Sequence, residues 1–152
     1  MKMAQEGCSM EAIVERTEQL MDVSKSWLMP ADFAYLRRGG RLSPMVSYVG
    51  QVANLAPVMT QTDDGQQLSI AAVRRGFKNA VSFIGKTMAE TYKVGKGWTV
   101  YISHGAALAK AEQALAILKP MFPEASFEIL PLSPAFITQG GPECVAVQII
   151  HD

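Results

Sequence analysis

The chain has 152 residues, too few to divide into two well-buried cores, so one domain is expected. Apolar residues make up 49% and charged residues 18%, which excludes a disordered chain and predicts a packed globule. Fourteen basic residues balance fourteen acidic ones, so the basic excess of a nucleic-acid-binding domain is missing and any bound anion must be held by a local cluster.

The opening Met1-Lys2-Met3-Ala4-Gln5-Glu6-Gly7 lacks the apolar stretch of a signal peptide. No apolar run approaches the roughly 20 residues that span a bilayer. Cys8 and Cys144 form no CxxC pair, and two such thiols suit a reducing cytoplasm. Ser9 is a plausible N-cap with Glu11 in the first turn. Met10, Ile13, Val14, Leu20 and Met21 then share one helical face, which predicts an amphipathic helix to about Val23. A short strand through Trp27-Leu28-Met29 stops at Pro30. Asp32 caps a short second helix through Phe33, Tyr35 and Leu36, which Gly39 and Gly40 end. Ser43-Pro44 pairs a capping hydroxyl with proline at the first helical position, so Met45 to Asn54 reads as a third helix.

Val58 to Thr62 and Leu68 to Val73 read as strands around Asp63-Asp64-Gly65-Gln66, a hairpin signal. A fourth helix starts near Gly76, with Phe77, Ala80, Val81, Ile84 and Met88 as its buried stripe. Gly95 and Gly97 break the chain before the strand Trp98-Thr99-Val100-Tyr101-Ile102. Ala106 to Leu118 is an alanine-rich helix ending before Pro120. Phe127 to Leu130 and Val145 to Ile150 supply the last strands. The expected fold class is α/β with α+β character: a mixed six-stranded sheet with helices packed on it in two layers. The nine methionines read mostly as core filler.

Arg37-Arg38-Gly39-Gly40-Arg41 surrounds two glycines with three guanidinium groups. Glycine admits a close backbone turn with N–H groups free for an anion, and arginine offers a planar fork to a carboxylate or phosphate. A plain helix C-terminus with cations against its negative dipole end is the competing reading. Arg74-Arg75-Gly76-Phe77-Lys78, at a strand end before a helix, is a second basic spot or ordinary surface charge. His104 follows a strand, where α/β sheets place ligands, although a histidine there can also just cap the turn. The glycine-rich loop Ser133 to Pro142, which includes Gln139, offers hydroxyls and an amide or is simply a turn into the final strand. No phosphate-binding loop, nucleophile elbow, dinucleotide fingerprint or zinc-protease motif is present, and two histidines with two separated cysteines make a poor metal set. No catalytic residue, cofactor or metal is assigned.

The segment Asp32 to Ser43, containing Tyr35-Leu36-Arg37-Arg38-Gly39-Gly40-Arg41, resembles the DegV-type fatty-acid-binding proteins, specifically their C-terminal half. The similarity continues in order through Gly50, Asn54 to Met59, Asp64-Gly65, Arg75 to Ala80, Ile102-Ser103-His104, Pro131 to Pro134 and Gly141-Pro142. The resemblance implies a protein that holds a long-chain fatty acid between two domains and presents its carboxylate to a separate ATP-dependent fatty-acid kinase subunit. It implies that Arg41 and Arg75 lie near the head group, with Gly40 and Arg38 in the same turn. It also implies His104 as a structural neighbour and a loop around Gln139 that closes on the carboxylate.

The sequence departs from that pattern in places. Gln139 stands where the family often has histidine, Glu143 replaces a glycine, and Ala56 stands where a lysine is common. Nothing resembles the family's N-terminal Rossmann-like domain, so residues 9–152 read as the C-terminal domain and residues 1–8 as a tag or linker remnant. Loss of that domain predicts an exposed apolar face. A regulatory or interaction domain with lost or altered lipid binding is the alternative, and a phosphoryl- or acyl-transfer enzyme using Arg41, Arg75 and His104 is a third reading.

Overall fold

The computed structural model describes residues 2–32, 35–36, 54–62 and 67–151. In chain order the elements are α1 (Lys2–Gln5), α2 (Met10–Asp22), β1 (Lys25–Met29), β2 (Leu55–Gln61), β3 (Leu68–Arg75) and α3 (Phe77–Glu90). They continue with β4 (Trp98–His104), α4 (Leu108–Leu118) with a 3-10 turn at Lys119–Met121, β5 (Ser126–Pro131), α5 (Pro134–Gly140) and β6 (Val145–His151).

Local chemistry explains most of these boundaries. Ser9 caps α2, its hydroxyl accepting the Ala12 N–H at 3.3 Å. Hydrogen bonds from the Glu11 backbone and then from Ser9 hold the Glu11 carboxyl below its ordinary pKa. Asp32 caps the next turn, its Oδ1 accepting the Tyr35 N–H at 3.2 Å. β2 begins at Leu55, three residues earlier than the sequence suggests, because Pro57 is accommodated inside the strand opposite Val73. A register shift follows at once between Val58 and Met59, the kind of irregularity beside which a proline without an N–H is tolerated. The expected third helix over Met45–Asn54 and the turn at Asp63–Gln66 lie outside the described residues, apart from Asn54 itself, which is in a turn.

The strands form one mixed sheet in the order β3-β2-β1-β6-β4-β5. β4 and β5 pair in parallel, and the other neighbours pair antiparallel. α3 packs across β1, β2 and β3, while α4 lies beside it on β4 and β5. This is the mixed two-layer sheet that the sequence pattern implies. Val100, Ile102, Val147 and Ile149 of the sheet and Ala80, Ile84, Met88 and Ala114 of the helices are buried in a common core. Each such large side chain contributes about 1.5–3 kcal/mol when buried.

The amphipathic face expected of α2 is only partly covered. Ile13 and Leu20 are half-buried, whereas Met10, Val14 and Met21 are exposed. The methionines are likewise divided: Met29, Met59 and Met88 are core residues, but Met10, Met21 and Met121 are exposed. The larger correction is α5, where the sequence suggests a loop. Ser133-Pro134 is the same start signal as Ser43-Pro44, with Ser133 extended at the N-cap and proline in the first turn. Gly141, at φ +83°, then stops the helix in a conformation that suits glycine.

Candidate functional site

The pairings make β1, β3, β4 and β5 run in one direction and β2 and β6 in the other. One end of the sheet therefore collects four carboxyl ends: Met29, Arg75, His104 and Pro131. Ligands of open α/β sheets bind at such an end. Of the residues singled out in the sequence, Arg75 closes β3 and His104 closes β4 at this end, and Gln139 lies in the helix that follows β5.

The sequence puts Arg75 and His104 each at a strand end but not at the same end of one sheet, because strand directions depend on pairings that no local pattern reveals. Arg38, Gly40 and Arg41 lie outside the described residues, as does the Gln139 side chain. Both anchors of the segment that carries the arginines are described. On one side Leu36 is fully buried, and on the other the Asn54 carbonyl accepts the Gly76 N–H at 2.8 Å, next to Arg75.

Arg75 and His104 share the sheet end but not one contact. They are four strand positions apart, which at about 4.8 Å per strand is roughly 19 Å. Arg75 is exposed, and its carbonyl accepts the Asn79 Nδ2 at 2.7 Å. Its neighbour Arg74 is engaged elsewhere, with its guanidinium 4.4 Å from the centre of the Phe83 ring. His104 is half-buried and caps the turn into α4, its Nδ1 accepting the Ala107 N–H at 3.2 Å. The ring proton therefore sits on Nε2. His104 is thus a capping group, and its carbonyl also accepts the Leu132 N–H at 2.9 Å, fixing the exit of β5.

α5 is fitted against the end of β4. Gly105 N–H donates to the Cys144 carbonyl at 2.9 Å, and Glu143 N–H donates to the Gly105 carbonyl at 2.7 Å. These bonds extend the β4–β6 ladder past His104–Val145. The Cys144 sulfur fills the space between two glycines: a Cβ on Gly140 would lie 3.0 Å from it and one on Gly105 3.2 Å. Burial raises the Cys144 thiol pKa, a shift opposed by backbone hydrogen bonds. Tyr35 completes the arrangement, donating its hydroxyl to the Thr138 carbonyl at 3.1 Å.

Glu143, the acidic residue of this region, does not remain uncompensated. Its carboxylate meets Lys110 of α4 at 2.9 Å, and that hydrogen bond and charge hold its pKa below the ordinary value. Sequence reasoning missed Lys110 because the two residues lie 33 positions apart. Among the described residues, no group of three or more His, Cys, Asp or Glu could hold a metal ion, and no helix is long and apolar enough to cross a membrane. A shallow groove of 470 Å³ between α4 and the start of β5, lined by Leu115, Lys119 and Pro123 among others, opens at the opposite end of the sheet.

A family model described as "Uncharacterised protein, DegV family" matches residues 1–152. A DegV domain-containing protein of Listeria monocytogenes is 27% identical over 132 residues, covering 87% of this chain and 46% of that protein. Among solved structures, a DegV family protein from Corynebacterium glutamicum superimposes with a TM-score of 0.84 at 23% identity, covering 99% of this chain and 55% of that one. The Streptococcus pneumoniae Fatty Acid Kinase (Fak) B3 protein, loaded with linoleic acid, matches with a TM-score of 0.83 at 21% identity, covering 99% and 53%. The chain thus spans about half the length of the proteins it matches.

Proposed function

Because the chain belongs to the DegV family, we propose that it is a lipid-binding domain contributing one half of a long-chain fatty-acid site. The observation that carries this reading is the convergence of β1, β3, β4 and β5 on one sheet end, in a fold shared with a linoleic-acid-loaded structure. On this reading residues 9–152 are the C-terminal domain, and an N-terminal domain of the same protein covers the acyl chain. Arg41 and Arg75 supply positive charge for the carboxylate, with Arg38 and Gly40 in the same basic turn, and Gln139 donates a hydrogen bond to it. His104 supports the site by holding the turn into α4.

The domain binds and presents; it does not catalyse. A separate ATP-dependent fatty-acid kinase takes the exposed carboxylate, in a cytoplasmic setting. The Lys110–Glu143 pair supports this reading over the regulatory alternative. A carboxylate already matched by an ammonium opposes an incoming acid far less than a bare one. The test is lipid extraction and mass spectrometry of the protein purified natively from its complete open reading frame. A long-chain fatty acid in stoichiometric amount is expected, and a consistently empty protein that also fails to bind added linoleate would overturn the reading.

A further inference from the structure

We propose that Tyr35 is a positioning residue for Gln139, an inference that rests on the reading of Gln139 as a head-group contact. One side chain holds the backbone on both sides of that residue. Before it, the Thr138 carbonyl accepts the Tyr35 hydroxyl at 3.1 Å. Thr138 lies in the last turn of α5, where carbonyls have no partner within the helix, so the phenol supplies an acceptor with the donor it lacks. After it, the Tyr35 ring lies directly on Gly141: a Cβ there would come within 3.1 Å of Cδ1 and 3.3 Å of Cγ.

Gly140, between these two contacts, is wedged in turn, because its missing Cβ would lie 3.0 Å from the Cys144 sulfur and 3.4 Å from Leu28. Tyr35 is itself fixed, by the Asp32 carboxylate on its N–H and by the fully buried Leu36 beside it. The clamp thus runs from the end of β1 to the end of α5 across the sheet end. A helix of only seven residues has little rigidity of its own, so the position of Gln139 depends on this external hold.

The experiment is a double-mutant cycle on linoleate affinity, using the protein expressed from its complete open reading frame. Tyr35→Phe removes the hydroxyl and keeps the ring. It is expected to weaken linoleate binding by about 3- to 10-fold, the worth of one hydrogen bond, and to add no further loss when Gln139→Ala is already present. Equal losses in both backgrounds, or none in either, would overturn the role of Tyr35 while leaving the lipid-binding reading intact. Absence of saturable linoleate binding by the wild type overturns the reading of Gln139 and the proposal with it.

A second measurement is independent of ligand: hydrogen exchange in the 152-residue chain. Tyr35→Phe should speed exchange at the Gly141 N–H, which donates to the Ile137 carbonyl at 2.9 Å. The Val147 amide of β6 should keep its wild-type protection. Uniform acceleration at both sites would mark Tyr35 as a general stabiliser and sink the proposal.

Discussion

The Glu143 carboxylate and the Lys110 ammonium meet at 2.9 Å, joining the turn before β6 to the first turn of α4. Both side chains are substantially exposed, so the contact organises charge more than it stabilises the fold. Its signature is the titration of Glu143. The hydrogen bond from Lys110, and secondarily its charge, lower the folded-state pKa. A depressed carboxylate contributes stability above its unfolded value and loses it as pH falls through the folded one, so any contribution disappears only in acid. Side-chain NMR should show a midpoint below that of ordinary glutamate in the wild type and a return toward it in Lys110→Ala. An unchanged midpoint would mean that the pair does not persist in solution.

Cys8 is exposed and Cys144 buried, which separates their reactivity. A thiol reagent such as DTNB should label Cys8 rapidly in the folded chain and Cys144 only on unfolding, since burial also disfavours the Cys144 thiolate. The same packing predicts that Gly105→Ala costs about 1–3 kcal/mol through overpacking. Cys144→Ala, which removes the nearest atom, should recover part of that loss in a urea melt. Independent, additive costs would refute the contact.

His104→Ala leaves the N–H of the buried residue Ala107 without an acceptor, at a cost of about 1–3 kcal/mol. His104→Asn offers an amide oxygen in its place and should lose less. The urea midpoint should fall in that order without a change in slope. Equal stability of both variants and the wild type would show that the cap is dispensable.

The neighbouring arginines should separate cleanly. Arg74→Ala loses the contact with Phe83, worth about 0.5–1 kcal/mol at an exposed site, and should leave linoleate affinity unchanged. Arg75→Ala should change stability by less than about 0.5 kcal/mol yet weaken linoleate binding by the protein made from the complete open reading frame. The opposite pattern would move the head-group site away from β3.

The elements with strong local signals were legible in the sequence. The stripe Ala80-Val81-Ile84-Met88 marked α3, the Ser9 cap marked the start of α2, and alternating β-branched residues marked β4 and β6. α5 was hidden by its composition, since Gly140 and Gly141 suggest a loop while Ser133-Pro134 marks a helix. The outward stripe of α2 was hidden for a different reason: periodicity reveals that a helix has an apolar face but not whether anything covers it. The candidate site was legible as residues and illegible as geometry. Nothing local places Arg75 and His104 at the same end of the sheet, four strands apart, or brings Tyr35 onto a carbonyl 103 positions away.

β1 pairs with β6 at five positions, but with β2 its described register is Leu28 opposite Met59 alone, beside the irregularity at Val58 and Met59. β3 and β2 lie on one side of this irregularity and β1, β6, β4 and β5 on the other, with β1 and β2 in contact across it. Arg75 closes β3 and His104 closes β4, so the span between them crosses it. α3, which packs on β1, β2 and β3, bridges the same boundary. The spacing of the sheet's carboxyl end therefore rests in part on core packing beneath α3, at residues such as Ile84 and Met88.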